Sequence, residues 1–207
     1  MRIAPWEEVA INLIGPWKVK VNGQQVEFNA LTCIDTALNL VELINIENKT
    51  AEHIRDKFTQ SWLCQYPRPV RCLLDKGGEF IGQNFQWLLE IFSIKDVCST
   101  SKNPQSNATC DRMHQTVLRT LVHTNPPQNM TQARDIIDDA LATAMHAMQT
   151  TIANTLGSTL GALAFAQDMF LNVQLIADWQ AIARTCEHHV NENFRCVNRK
   201  RRQFNYA

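Results

Sequence analysis

The sequence predicts an α/β domain on a five-stranded mixed sheet, three antiparallel strands followed by two parallel ones, flanked by helices. Three observations carry this. Strand patterns over residues 6–14, 26–34 and 40–46 are joined by short connections, which implies an antiparallel meander. A short run at 70–74, read as apolar, lies between two segments of helical periodicity, as a strand paired in parallel and covered by helices does, and a fifth strand follows at 94–98. The composition, 45% hydrophobic and 19% charged over 207 residues, suits a folded chain with one sizeable core.

In the first strand Val9, Ile11 and Leu13 alternate with Ala10, Asn12 and Ile14, so Asn12 lies on the face opposite Leu13. Val21-Asn22-Gly23-Gln24 signals a tight turn into the second strand, which Asp35 ends. After Thr50, the residues Ile54, Phe58 and Trp62 recur every four positions, predicting a helix over about 50–64 that Pro67 and Pro69 stop. The run Val70 to Leu74 reads as a strand buried on both faces, and a helix carrying Phe85, Leu88, Leu89 and Phe92 leads to the fifth strand, 94–98. Asn103 and Pro104 make a good helix start, and Cys110, Met113, Val117 and Leu121 then give one apolar face. Asn107, Asp111, His114, Gln115 and Leu118 share another. Asn125-Pro126-Pro127 breaks that helix, and Thr131 is the expected cap of the next, which carries Ile136, Ile137, Ala140, Leu141, Ala144 and Met148. Residues 177–202 read as one long helix that becomes basic, giving two parts: a core over 1–175 and a basic helical extension over 176–207.

Two acids bracket the most informative stretch. Asp75 ends an apolar run and precedes Gly77-Gly78-Glu79-Phe80, and Asp111 lies on the helix after Asn103-Pro104-Gln105-Ser106, with 35 residues between the acids. The turn after Asp75, the helix start at Asn103 and the spacing together resemble the catalytic core of retroviral and LTR-retrotransposon integrases, the gypsy-type elements above all. The segment Thr155 to Leu171 is similar to the short motif that closes such cores, without its usual proline near 160. The resemblance covers nearly the whole chain and implies a ribonuclease-H-like fold, whose β-β-β-α-β-α-β-α order the pattern above also suggests. It further implies a catalytic triad at Asn12, Asp75 and Asp111, where the family carries Asp, Asp and Glu. Two of the three positions have therefore changed.

The activity implied is Mg²⁺- or Mn²⁺-assisted transesterification, joining DNA 3′ ends to target DNA, with Asn12, Asp75 and Asp111 as metal ligands. Such chemistry uses two ions ~3.5–4 Å apart held by carboxylates. Asn12 leaves the site one charge short, and Asp111 retracts its ligand by roughly 1 Å relative to Glu, so impaired catalysis is expected. The alternatives are a non-catalytic nucleic-acid-binding or oligomerising remnant and a nuclease or transposase of the same fold. Asp35 could compensate for Asn12, although a cap on the turn at Thr36-Ala37 is the stronger expectation for it. The resemblance also implies DNA contacts from Lys76, Lys102, Asn107, Arg112, His114 and Gln115, self-association into a homo-oligomer, and action in the nucleus.

Formal net charge is zero, so no overall basic excess advertises a polyanion partner, but Arg195, Arg199, Lys200, Arg201 and Arg202 cluster near the end. They could meet phosphate, serve nuclear import or keep a terminal helix soluble. The seven cysteines are odd in number and scattered, which suits reduced thiols inside a cell. Cys186, His188, His189 and Cys196 fit no common zinc module. No charged-then-apolar leader precedes Pro5, and the stretch from Ile152 to Ala166 is too broken to span a bilayer.

Overall fold

The computed structural model describes residues 4–75, 77–98, 113–121, 126–153 and 158–165, with Arg184 and His188, both helical. The chain divides into two compact units, Met1–Gln149 and Thr150–Ala207. The expected boundary at 175 lies outside the described residues, as does nearly all of the expected 177–202 helix.

The first unit is organised on strands β1 (Glu8–Val21), β2 (Gln24–Asp35), β3 (Val41–Ile46), β4 (Arg71–Leu74) and β5 (Lys95–Cys98), in the order β3-β2-β1-β4-β5. β1, β2 and β3 form the antiparallel meander, and β4 pairs in parallel with both β1 and β5. Asn22 and Gly23 both take positive φ, as the two central residues of a hairpin turn matched to strand twist must.

One face of the sheet is covered by α1 (Ala51–Phe58), which runs on into a π-helical turn (Thr59–Leu63), and by α2 (Gly78–Ile81) and α3 (Gln83–Ile91). Ile54, Phe58, Trp62, Phe80, Phe85 and Leu89 pack there on Val9, Ile11, Leu31, Cys33, Cys72 and Leu74. Thr50 caps α1 by accepting from the N–H of His53. The other face carries α4, residues 113–121, and α5 (Met130–Thr150). Met113 and Val117, with Ala133, Ile137, Ala140, Leu141 and Ala144, pack on Ala10, Ile14, Trp17, Phe28, Ala30 and Ile34. The apolar spacing at 113, 117 and 121 therefore reports a real buried face, with Leu118 left exposed.

Four expectations need correction. β1 does not stop at Ile14: it passes a bulge between Ile14 and Trp17 and continues to Val21. β4 is not buried on both faces, because the run contains Arg71, whose guanidinium pairs with Glu8; only Cys72 and Leu74 are fully enclosed. The second helix is two pieces jointed at Gly82. The cap of α5 is Asn129, not Thr131: its Oδ1 accepts from the N–H of Gln132, while Gln132 Oε1 accepts from the N–H of Gln128.

The second unit's described elements are a two-stranded ribbon, β6 (Ile152–Ala153) with β7 (Ser158–Thr159), followed by α6 (Leu160–Phe165). Thr159 Oγ1 accepts from the N–H of Ala162 at the start of α6. No helix among the described residues is long and apolar enough to cross a membrane.

Candidate active site

The site is set by the register of β1 and β4. Their pairs run Glu8 with Arg71, Val9 with Cys72, Ala10 with Leu73 and Ile11 with Leu74. The next positions outward are Asn12 and Asp75, on parallel neighbours that lie about 4.8 Å apart. Alternation then assigns the face. Ala10 packs in the α4–α5 core and Leu73 packs against it, so Asn12 and Asp75, two residues further on, belong to that side of the sheet.

Asp75 is exposed just past the end of β4, and its Oδ1 accepts from the N–H of Gly77 at 2.9 Å. This is a turn bond, and it fixes one carboxylate oxygen while Oδ2 has no partner among the described residues. Asn12 is half-buried within β1; its Oδ1 accepts from the N–H of Leu13 at 2.8 Å, and its backbone carbonyl accepts from Thr32 Oγ1 at 3.1 Å. Asp111, Lys76, Lys102, Asn107, Arg112 and the basic residues Arg195, Arg199, Lys200, Arg201 and Arg202 lie outside the described residues. Gln115 is exposed on α4, whereas His114 is half-buried and stacks on Trp17 with ring centroids 5.3 Å apart.

Asp35 is a turn cap. It is fully buried, Oδ1 accepts from the N–H groups of Ala37 and Leu38 at 2.9 and 2.6 Å, and Oδ2 accepts from that of Trp6 at 2.6 Å. It pairs with Val9, whereas Asn12 pairs with Thr32, three residues along β1 and about 10 Å away. Burial raises its pKa above the usual carboxylate value, and the three backbone N–H groups pull it back. A carboxylate so committed is not available to act beside Asn12.

Asn12 and Asp75 offer oxygen donors of the kind a hard divalent cation takes. They fit such an ion in kind and fall short in charge, since a two-ion centre takes several carboxylates and this pair supplies one. No cluster of three His, Cys, Asp or Glu side chains able to hold a metal occurs among the described residues. Of the cysteines described, Cys33 and Cys72 are buried free thiols, their pKa values pushed well up by burial, and Cys64 is an exposed free thiol.

Sequence reasoning missed two features. One is the Glu8–Arg71 pair, which Thr36 Oγ1 joins by donating to Glu8 Oε1 at 2.8 Å. The other is Trp17, which the bulge after Ile14 carries into the α4–α5 core, although the Gly15-Pro16 step before it reads by residue type as the end of the strand.

By sequence, no family model and no curated protein matches the chain. Solved structures do match. The HTLV-2 integrase catalytic core, a complex with magnesium, is 17% identical with a TM-score of 0.61, covering 77% of this chain and 97% of that one. The catalytic core of BIV integrase is 15% identical with a TM-score of 0.56, covering 77% and 93%. The simian T-cell lymphotropic virus intasome, in complex with the PP2A regulatory subunit B56 gamma, matches at 13% identity and a TM-score of 0.61, covering 86% of this chain and 61% of that one. With its β3-β2-β1-β4-β5 sheet, parallel through β1, β4 and β5 and clad by helices on both faces, the chain has the ribonuclease-H-like fold of retroviral integrase catalytic cores.

Proposed function

We propose that this chain is a retroelement integrase core that still engages DNA and whose strand-joining chemistry is impaired at Asn12 and Asp111. The observation that carries the reading is the β1–β4 register, which makes Asn12 and Asp75 neighbours on the α4–α5 side of the sheet. Asp111 lies two residues before Met113, the first described residue of α4, in sequence. In this reading Asp75, Asp111 and Asn12 hold Mg²⁺, which when bound would neutralise charge on the attacking and leaving oxygens of a phosphoryl transfer.

The residues' own parts are unequal. Asp75 supplies the full negative charge, and the Gly77 N–H fixes its orientation. Asn12 supplies a neutral amide oxygen already engaged by Leu13 N–H, so both its charge and part of its donor capacity are missing. Asp111 keeps its charge on a side chain one methylene shorter than Glu. Lys76, Lys102, Asn107, Arg112, His114 and Gln115 lie beside these positions in sequence and are assigned to DNA, with a second copy of the chain as a further partner. Nuclear action belongs to the same reading.

The test is restoration. Asn12→Asp with Asp111→Glu should give Mg²⁺-dependent disintegration of a branched DNA substrate that the native chain lacks. Asn12→Asp alone should recover about three to four decades of rate, the effect of ~4–6 kcal/mol at the transition state, and Asp111→Glu alone about a hundredfold at most. The two gains should be non-additive, since both act through one centre. A folded double variant that binds Mg²⁺ more tightly than the native chain yet turns nothing over would remove the integrase reading.

A further inference from the structure

We infer that Trp17 and His114 form a positioning pair that fixes helix α4 against strand β1, on the side of the sheet to which Asn12 and Asp75 belong; its catalytic consequence rests on the reading just given.

A bulge interrupts β1 between Ile14 and Trp17. Before it, even-numbered residues of β1 such as Ala10 and Ile14 face the α4–α5 core, and odd-numbered ones such as Val9 and Ile11 face α1 and α3. A regular strand would send Trp17 to the side of Val9. The register instead steps from Ile14 opposite Ala30 to Trp17 opposite Phe28, three residues of β1 against two of β2. The extra residue reverses the alternation, and Trp17 and Val21 enter the α4–α5 core, with Val19 packed against it. Gly15 makes the step feasible: its φ is +115°, and a Cβ there would come within 2.8 Å of the Phe28 carbonyl oxygen. The local backbone is therefore specialised, and its effect is to bring one large aromatic ring to the α4 side.

What the ring meets is His114. The two planes are 22° apart with centroids at 5.3 Å, a stacked contact, and Trp17 is 1% exposed. Its Nε1 is buried without a hydrogen-bond partner among the described residues, which has a cost. An aliphatic side chain would fill this core without that unpaired N–H; what it lacks is a flat face for the imidazole. Met113, Val117 and Leu121 also pack α4 on the core, and apolar packing of this kind is not directional. Stacked rings have preferred geometry. His114 lies in the first described turn of α4 and follows Asp111 by three residues in sequence.

The experiment has two arms on the full chain. In the first, hydrogen exchange of α4 amides is followed in Trp17→Leu, His114→Ala and the double variant. Each single change should speed exchange across 113–121 by about three- to tenfold, and the double should add little, while α3 amides keep their protection. In the second, Trp17→Leu and Trp17→Phe are placed in the Asn12→Asp, Asp111→Glu background and assayed by disintegration. Trp17→Leu should lower kcat by about ten- to hundredfold with KM nearly unchanged, and Trp17→Phe, which keeps a flat ring, should recover most of the loss. Unchanged exchange in α4, or equal loosening of α3 and α4, would overturn the pairing even if turnover falls. A background without turnover would sink the integrase reading instead, and the exchange arm would still decide whether the pair exists. His114→Ala keeps the exchange arm informative should Trp17→Leu fail to fold.

Discussion

Three backbone N–H groups converge on the fully buried carboxylate of Asp35, two on one oxygen and one on the other. Asp35→Ala leaves those donors without acceptors and should destabilise the chain by about 3 kcal/mol or more, read by urea denaturation. Asp35→Asn keeps one acceptor oxygen, and its penalty should depend on pH. Burial raises the Asp35 pKa above its ordinary 3.8. A raised folded-state pKa means that this group's titration favours the fold most below 3.8 and that the contribution is lost as pH rises through the folded value. The penalty of Asp35→Asn should therefore be largest in acid and shrink towards neutrality. A penalty that grows with rising pH would show that the hydrogen bonds outweigh burial. The capping part of Asp35 was legible, because an Asp followed by Thr36-Ala37 after a strand is a common turn cap. The Trp6 contact was not, since it joins positions 29 residues apart and nothing local announces it.

At the scale of elements, close approach rather than propensity explains the joint between α2 and α3. Gly82 ends one helix and precedes the other, and a Cβ at this position would lie 2.5 Å from the Cβ of Ala51 on α1. Gly82→Ala should then cost about 1–3 kcal/mol by overpacking. Adding Ala51→Gly should recover part of that loss despite glycine's poor helix propensity, so a double-mutant cycle on thermal unfolding checks the contact itself. Asn129→Ala should cost about 1 kcal/mol through loss of the α5 cap, with Thr131→Ala near neutral. Periodicity made the strands and the buried faces of α1, α3, α4 and α5 legible, because it records which side of each element avoids water. It could not reveal joints or bulges. Gly15-Pro16 looks like the end of a strand by residue type, yet β1 continues because Phe28 and its neighbours keep pairing beyond the irregularity. Arg71 likewise sits in a run that reads as apolar, and only the partner strand supplies the Glu8 that lets it remain there.

The whole molecule separates two questions that a shared fold leaves joined, whether the chain binds DNA and whether it acts on it. The sheet brings Asn12 and Asp75 together through the parallel pairing of β1 with β4, a juxtaposition legible in the sequence only through the family-like motifs around each residue. Binding does not require that centre, because phosphate contacts depend on displaced counterions and therefore on cations. With zero formal net charge the chain has no general excess to draw on, so any strong salt dependence must come from local clusters. Arg195, Arg199, Lys200, Arg201 and Arg202 are the densest of these, five cations within eight residues. If they meet phosphate, deleting 195–202 should weaken binding to duplex DNA and flatten the plot of log affinity against log salt by about 0.9 for each phosphate no longer neutralised. Asn12→Asp, measured without divalent metal, should leave that slope where it was, since it adds one anion at the sheet and removes no cation. A slope unchanged by the deletion would assign the cluster to solvation and move the DNA contacts to the residues flanking Asp75 and Asp111. A slope altered by Asn12→Asp alone would mean instead that the sheet end itself lies against the phosphates, joining binding and chemistry at one surface.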